Sequence, residues 1–214
     1  MMAGGAFFDI TVTGKGSHGA RPEEGIDPVL TACHITTALQ AIVSRNISPR
    51  DTAVLSVTSI QAGDAYNVIP QTAVMRGTFR TFSNDTVKQI EACMRRTVTG
   101  VAAAFGATAN LDFPDMFAPL FNDPAETKFI ADAAADLVGE AHVDRNRSLI
   151  TAAEDFAYML EACPGAFINI GIAGTVGSCP VHNPHYDFND GALPIGTSLF
   201  ARLVEKKLLQ LSTT

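Results

Sequence analysis

The spacing of apolar residues changes repeatedly along the first 113 residues, and the order of these changes constrains the fold more than any other feature. Apolar residues alternate with polar ones in four segments, which predicts half-buried strands. They recur every three or four residues in two longer segments, which predicts helices. The strands are predicted at 6–14, 53–60, 71–82 and 107–113, and the helices at 27–45 and 84–105.

The predicted order is β-α-β-β-α-β, the ferredoxin-like arrangement, in which two helices cover one face of an antiparallel sheet. Pro114 and Pro119 follow the last predicted strand and mark a boundary. We therefore expect one domain at 5–115 and a second region at 116–214. A single domain of about 110 residues is of ordinary size.

The second region is predicted to be mainly helical. Helical spacing favours helices at 124–138, 153–162 and 190–211, and the apolar run 166–172 is typical of a buried strand. Because this region has few strands for its length, we predict that it is part of an α/β layer. The predicted fold class of the whole chain is α/β (α+β). Several predicted helix ends carry capping residues: Asp27 with Pro28 before the first helix, Gly106 after the second, Asn122 or Asp123 before the third, and Gly139 after it.

Composition excludes several classes of function. The 214 residues are 47% hydrophobic and 17% charged, which is typical of a folded soluble protein. The net charge of −7 argues against a nucleic-acid partner. No apolar run reaches the length of a membrane span. The four cysteines form no C-x-x-C pair, so we expect a reducing, cytoplasmic location.

The segment His182-Asn183-Pro184-His185-Tyr186-Asp187-Phe188-Asn189-Asp190 is the first candidate site. Imidazole is the commonest metal ligand in proteins, and loops next to helices often carry such ligands. Asp187 or Asp190 could orient an imidazole or cap the following helix. A polar loop that ends in a helix cap is the alternative interpretation.

Four further residues are candidates, and each also has a structural explanation. Glu154 precedes a predicted helix, where the helix dipole alone would favour an acid. His18 lies among small residues that leave its ring accessible, although a lone histidine is often only structural. Asn67 could bind a ligand or stabilise a turn. Arg80, on the sheet face opposite Phe79, could bind a carboxylate or simply be solvated.

Five motifs then occur in a fixed order along the chain: GKGSHGARPEEGIDPV, GDAYNVIP, RGTFRTF, AAEDFAYMLE and VHNPHYDFND. Together they resemble the zinc-peptidase-like amidohydrolases, in the branch of hippurate hydrolases, N-acyl-amino-acid amidohydrolases and indoleacetyl-amino-acid hydrolases. The resemblance covers about residues 3–208. It implies that 5–115 is a lid domain that forms a homodimer, and that 116–214 is the C-terminal part of the catalytic domain.

The resemblance also implies roles for the candidate residues. It implies two divalent metals, zinc or manganese, per intact subunit, with His182 as a ligand and His185 as a second choice. Glu154 would act close to the metals. His18 would reach the site of the neighbouring subunit and polarise the scissile carbonyl of an N-acyl amino acid. Asn67 and Arg80 would bind that small-molecule substrate.

The chain departs from the family pattern in one large respect. The family's early H-x-C-G-H-D type motif, which supplies a Cys and a His as metal ligands, is absent. The Glu-Glu pair that contains the general base and a further ligand is absent too; Glu23-Glu24 lies inside the lid loop instead. We therefore expect a fragment that is inactive alone and binds metal weakly or not at all. The alternatives are a non-catalytic dimerisation module and one half of a split enzyme.

Overall fold

The computed structural model describes residues 1–172, 179 and 181–212. The chain forms two compact units, one of Met1–Leu120 with Leu149–Tyr158 and one of Phe121–Ser148 with Met159–Thr214. The assignment of 5–115 to dimerisation and of 116–214 to catalysis stays a prediction.

The first unit contains a mixed arrangement of strands and helices in the predicted order. Its chain runs through β1, β2, α1, β3, β4, β5, α2, β6 and β7. A π-helical turn, Ile42–Asn46, extends α1. The bounds are β1 Gly4–Thr13, β2 Ser17–His18, α1 Pro28–Ala41, β3 Ala53–Gln61, β4 Val68–Ile69, β5 Thr72–Thr81, α2 Asn84–Ala104, β6 Thr108–Asp112 and β7 Met116–Phe117.

The main sheet has the strand order β3-β5-β1-β6, and β7 also pairs with β1. Every pairing in this sheet is antiparallel. Alternate residues of β1 and β5 are buried, and they pack with apolar residues of α1 and α2 in one cluster. Both helices therefore cover the same face of the sheet, and the other face carries the polar residues. Gly77 is required here because the Phe8 ring would lie 2.3 Å from any Cβ atom.

A second, two-stranded sheet in this unit was not predicted from the sequence. Ser17 of β2 pairs with Ile69 of β4, and His18 pairs with Val68. Both strands lie in segments whose glycines and prolines predicted loops and turns. Each strand has only two residues, too few for the spacing of apolar residues to indicate a strand. We call this β2–β4 pair the ribbon.

The second unit is built on helices α3, Pro124–Val138, and α5, Leu193–Ser212. Asp123 caps α3 by accepting hydrogen bonds from Ala125 N at 2.8 Å and Glu126 N at 3.0 Å. Gly139, with φ of 88°, ends the helix as predicted. The sequence allowed either Asn122 or Asp123 as the N-cap of this helix, and in the structure the cap is Asp123.

For the shorter elements, one prediction differs from the structure in its first residues and another was wrong in type. The helix predicted at 153–162 begins only at Phe156, as α4 Phe156–Ala162, so Glu154 lies before its first turn. The run 166–172 forms no strand, since no described segment pairs with it along a ladder. Instead, the side-chain amide of Asn122 donates to Phe167 O and accepts from Phe167 N, both at 2.9 Å. Apolar character favours burial, but a strand also needs a partner for its backbone.

Candidate functional site

The ribbon brings His18 and Asn67 together. His18 pairs with Val68, the residue that follows Asn67, and Asn67 O accepts a hydrogen bond from Gly19 N at 2.8 Å. Gln71 stabilises the base of the ribbon, where the chain leaves the main sheet. Its side chain accepts a hydrogen bond from Gly16 N at 3.0 Å and donates one to Gly14 O at 2.7 Å. Two residues that the sequence assigned separately, one catalytic and one substrate-binding, are therefore neighbours.

The imidazole of His18 is exposed and oriented by its own loop. Its Nδ1 atom accepts a hydrogen bond from Ala20 N at 3.0 Å. In a neutral imidazole one nitrogen accepts and the other donates, so this contact leaves the proton on Nε2. An exposed Nε2–H is a hydrogen-bond donor of the kind that can polarise a carbonyl oxygen. The Asn67 side chain is exposed beside it and forms no hydrogen bond with a described residue.

Arg80 lies on the open face of the sheet, as its alternation with Phe79 predicted. Phe79 is fully buried in the core, whereas Arg80 is half-buried on the opposite face. Burial lowers the pKa of the Arg80 guanidinium from its ordinary value, although an arginine remains charged at neutral pH. Its Cζ atom lies 5.2 Å from the centre of the Phe7 ring and 5.4 Å from that of Phe117.

The structure does not bring Arg80 to the ribbon. The ribbon is attached where Thr13 of β1 pairs with Thr72 of β5, whereas Arg80 lies near the other end of β5 and pairs with Gly5. Eight residues of strand separate Thr72 from Arg80, which corresponds to about 26 Å. Arg80 and the ribbon therefore occupy opposite ends of one sheet.

Glu154 belongs to the first unit and is half-buried. Its carbonyl oxygen accepts from Ala157 N at 3.2 Å, at the start of α4. The segment that carries Glu154 is hydrogen-bonded to the residue just before β1. Ala3 N donates to Ile150 O at 2.9 Å and to Ala152 O at 3.1 Å. A role for Glu154 near a metal stays a prediction.

His182 and His185 lie on a turn of the second unit, and both are exposed. His182 has a φ of 71°, a left-handed conformation that is uncommon for a residue with a side chain. Asn183 organises the turn, because its side-chain oxygen accepts from His185 N at 2.9 Å. Asn189, rather than Asp187 or Asp190, caps the next helical turn through Gly191 N at 3.0 Å. Residues 173–178 and 180, which precede this turn, lie outside the described residues.

The described residues do not by themselves form a metal centre. Within 1–172, 179 and 181–212, no three or more His, Cys, Asp or Glu side chains are grouped so that they could hold an ion. Catalytic zinc sites use three protein ligands, so His182 alone does not fit such a site. The same part of the chain contains no helix long and apolar enough to cross a membrane.

Sequence reasoning missed three residues around Arg80: Phe7, Thr78 and Phe117. Thr78 accepts a hydrogen bond from Arg80 Nη1, and the rings of Phe7 and Phe117 lie against the guanidinium. The alternation of β5 places Thr78 on the same face as Arg80, and this was the one signal available in the sequence. The pairing of β1 with β5 and β7, which brings in the two rings, depends on tertiary structure.

Solved structures share this fold. A putative aminohydrolase from methicillin-resistant Staphylococcus aureus matches 95% of this chain and 52% of its own, with a TM-score of 0.78 and 31% identity. A Bacillus subtilis protein, described as a dinuclear metal binding peptidase of the M20 family, matches 95% of this chain and 49% of its own. Its TM-score is 0.69 and its identity 30%. These similarities place the chain in the class of mixed α/β proteins with the M20 peptidase fold.

The sequence comparisons identify the family. Residues 3–206 match the model of peptidase family M20/M25/M40, and the chain belongs to that family. It is 38% identical to the N-acetyl-L-cysteine deacetylase of Bacillus subtilis over 98% of this chain and 49% of that protein. It is 33% identical to the hippurate hydrolase of Campylobacter jejuni over 97% and 54%, respectively. The IAA-amino acid hydrolase ILR1-like 4 of Arabidopsis thaliana is 33% identical over 100% and 50%.

The resemblance predicted from the five motifs is therefore confirmed. The chain spans about half the length of the curated relatives that it matches.

Proposed function

We propose that this chain supplies the substrate-recognition part of an amidohydrolase that cleaves the amide bond of N-acyl amino acids. Its relatives include a deacetylase of N-acetylcysteine, a hippurate hydrolase and an IAA-amino acid hydrolase, and the names of all three indicate N-acylated or conjugated amino acids. In this proposal 5–115 is a ferredoxin-like lid domain and 116–214 is the C-terminal part of a catalytic domain. The observation that carries the proposal is the ribbon, which presents His18 and Asn67 side by side.

Arg80 and the ribbon are proposed to bind opposite ends of the substrate. Arg80 would donate hydrogen bonds to the carboxylate of the amino acid, because guanidinium groups bind carboxylates bidentately. His18 Nε2–H would donate to the scissile carbonyl oxygen, where negative charge develops during hydrolysis. The Asn67 amide would bind the same part of the substrate.

A single lid cannot place both ends of the site around one N-acyl amino acid. The carboxylate and the scissile amide of such a substrate are one residue apart, at most about 3.6 Å. Arg80 and the base of the ribbon are separated by about 26 Å of strand. We therefore propose a homodimer in which His18 and Asn67 of one subunit complete the site that contains Arg80 of its partner.

Mixing two variants tests this arrangement. His18→Ala and Arg80→Ala proteins should each bind N-benzoylglycine weakly. A mixed dimer that is refolded from both would contain one site with its His18 and Arg80 intact. We expect ligand binding to return in the mixture, with about half of the wild-type stoichiometry per mixed dimer. Binding that fails to return, although differently tagged subunits co-purify as the mixed dimer, would contradict the shared site.

The proposed enzyme needs more metal ligands than the described residues provide. We propose that His182 is one ligand of a zinc or manganese ion, that Glu154 acts near that ion, and that the other ligands lie outside the described residues. The chain alone should then bind these ions weakly. Zn²⁺ added at micromolar concentration should shift the imidazole NMR signals of His182 no more than those of His142, an exposed histidine in the same unit.

The alternative proposals are a non-catalytic dimerisation module and one half of a split enzyme. Both are motivated by the fact that the chain spans only about half the length of its relatives. Both predict that the chain alone does not hydrolyse N-benzoylglycine with Mn²⁺ or Zn²⁺. Turnover that is abolished by His182→Ala would refute both. A split enzyme would gain activity from a polypeptide that carries the missing half, and His18→Ala should abolish that activity.

A cytoplasmic location is consistent with the four free cysteines.

A further inference from the structure

Two arginines project from the same face of β5 but differ in their partners. Arg76 and Arg80 are four residues apart, so their side chains leave the strand on the same side. Arg76 is opposite Asp9 of β1, and its Nε atom lies 3.5 Å from Asp9 Oδ1. Arg80 is opposite Gly5, which has no side chain, and it forms no ion pair with a described carboxylate. Arg80 is thus a half-buried cation whose anionic partner is missing from the described residues.

One end of the Arg80 guanidinium is fully occupied. Nη1 donates to Thr78 Oγ1 at 2.5 Å and to Phe79 O at 2.9 Å, with a longer contact of 3.4 Å to Ala6 O. Nη1 carries only two hydrogens, so these contacts saturate it. Nε and Nη2 donate to no described residue. A ligand is therefore left with the Nε–Nη2 edge, whose two parallel N–H groups match the two oxygens of a carboxylate.

Thr78 has a second contact that fixes its hydroxyl group. Thr78 Oγ1 donates to Ala6 O at 2.9 Å, which leaves its lone pairs to accept from Arg80 Nη1. Ala6 lies on β1, beside the position where Phe7 pairs with Thr78. The hydroxyl therefore connects the guanidinium to the backbone of β1, and this connection restricts the orientation of the guanidinium.

Two aromatic rings restrict the guanidinium further. The Phe7 and Phe117 rings are perpendicular to each other at 86°, with their centres 5.3 Å apart. The guanidinium lies against both, at distances typical of cation–π contacts. Phe117 is held in turn by β7, where Tyr158 Oη donates to Met116 O at 2.8 Å. Rings on a half-buried cation also exclude water from it, which strengthens its attraction for an anion.

We propose that Thr78 and Phe117 are positioning residues that orient Arg80 so that its Nε–Nη2 edge donates two hydrogen bonds to the carboxylate of the substrate. The substrate part of this inference rests on the proposed function, whereas the orientation of Arg80 does not. Neither residue touches the substrate in this proposal, and both act through the guanidinium. The recognised group is a planar carboxylate, and a neutral amide in its place would lose the charge-assisted pair.

The orientation is tested without any ligand. The Nε–Hε NMR signal of Arg80, assigned by its loss in Arg80→Lys, should be a single sharp signal in the wild type. Thr78→Val removes the acceptor at nearly constant volume, and Phe117→Leu removes one ring. Both should shift or broaden the signal, whereas Thr78→Ser should preserve it. Thr11→Val, an exposed threonine on the same face of β1, is the matched control and should change nothing.

Binding is then measured with N-benzoylglycine and its amide, N-benzoylglycinamide, by calorimetry on the full chain. Thr78→Val should weaken N-benzoylglycine binding about tenfold, the effect of about one hydrogen bond to a charged group. Thr78→Ser, Thr11→Val and Arg76→Lys should bind as the wild type does, and the amide should bind weakly to all variants. Circular dichroism of each variant separates a loss of folding from a loss of orientation.

The outcomes separate the two ideas. A signal that responds to Thr78→Val and Phe117→Leu in a chain that does not bind N-benzoylglycine supports the orientation and counts against the proposed substrate. An unchanged Arg80 signal in both variants overturns the positioning roles. In a chain that binds N-benzoylglycine, equal affinity in the wild type and Thr78→Val overturns the role of Thr78.

Discussion

The described residues of the two units differ in the number and size of their buried apolar side chains. The first unit has a continuous core of large side chains from four strands and two helices, including Phe8, Phe79, Met75 and Ile90, all at most 1% exposed. Among the described residues of the second unit, one buried cluster consists of Ala133, Ala134 and Leu199, with a few half-buried neighbours. A sheet covered by helices provides its own core, whereas a pair of helices does not bury all of its apolar surface.

The helix α5 shows the consequence for the second unit. Phe200, Val204 and Leu208 are spaced four residues apart, so they form one stripe along the helix. Their exposures are 71%, 58% and 61%. Ion pairs contribute to the contact between α3 and α5, among them Lys207 with Glu126 at 2.9 Å and Lys206 with Asp136. Exposed ion pairs of this kind stabilise a fold only weakly.

The largest expected effect compares the two cores directly. Phe79→Ala should lower the free energy of unfolding by about 3–5 kcal/mol, because it leaves a cavity in a closely packed core. Leu199→Ala should cost about 2 kcal/mol, the low end for leucine, because its small cluster can collapse. Urea unfolding followed by circular dichroism measures both. A larger loss for Leu199→Ala would show that the second unit has the better-packed core.

The next effect concerns the apolar run 166–172. Asn122→Ala removes both hydrogen bonds to Phe167, so we expect a loss of about 2 kcal/mol and faster amide exchange in this run. Exchange in β1, whose backbone is bonded on both sides, should not change. Hydrogen-exchange mass spectrometry resolves the two segments. Equal protection of both in the wild type would mean that 166–172 is held by more than Asn122.

The helix caps provide a matched pair, one in each unit. Asp27 accepts from Val29 N at 2.8 Å and Leu30 N at 3.2 Å, and Asp123 makes the equivalent pair of bonds at the start of α3. Each change to alanine should cost about 1 kcal/mol, because the cap is a local interaction. Thermal unfolding of both variants checks this. A clear difference between the two would show that the surrounding unit modifies the cap.

The smallest effect is the pH dependence of the second unit. Hydrogen bonds from Lys128 and then Arg145 hold the pKa of the Asp132 carboxyl below its usual range. A depressed pKa in the folded state stabilises the fold above the ordinary pKa, and this stabilisation is lost as the carboxyl is protonated. Unfolding midpoints should therefore fall as the pH decreases below about 4.

Asp132→Asn should reduce this pH dependence, and added salt should reduce it as well, because the group is exposed. The matched control is Asp9→Asn in the first unit, which changes an exposed carboxylate of a single ion pair. An identical pH profile for wild type and Asp132→Asn would remove the ion pairs of Asp132 from any account of stability.

The sequence predicted well those features that depend on neighbours along the chain. The four longer strands and the two helices of the first 113 residues, the cap at Asp27 and the helix end at Gly106 all follow from local spacing and residue type. The face of Arg80 also followed, because side chains alternate along any strand. The run 166–172 was predicted wrongly as a strand because its apolar pattern cannot show whether a partner is present.

The candidate site divides in the same way. The family could be predicted from the motifs and their order, whereas the roles of His18, Asn67, Arg80 and His182 stay predictions. The ribbon that joins His18 to Asn67, and the aromatic rings that lie against Arg80, were decided by tertiary structure, whereas the alternation of β5 already placed Thr78 on the face of Arg80. Local spacing is a property of consecutive residues, whereas strand register and contacts between distant side chains depend on how remote segments pack.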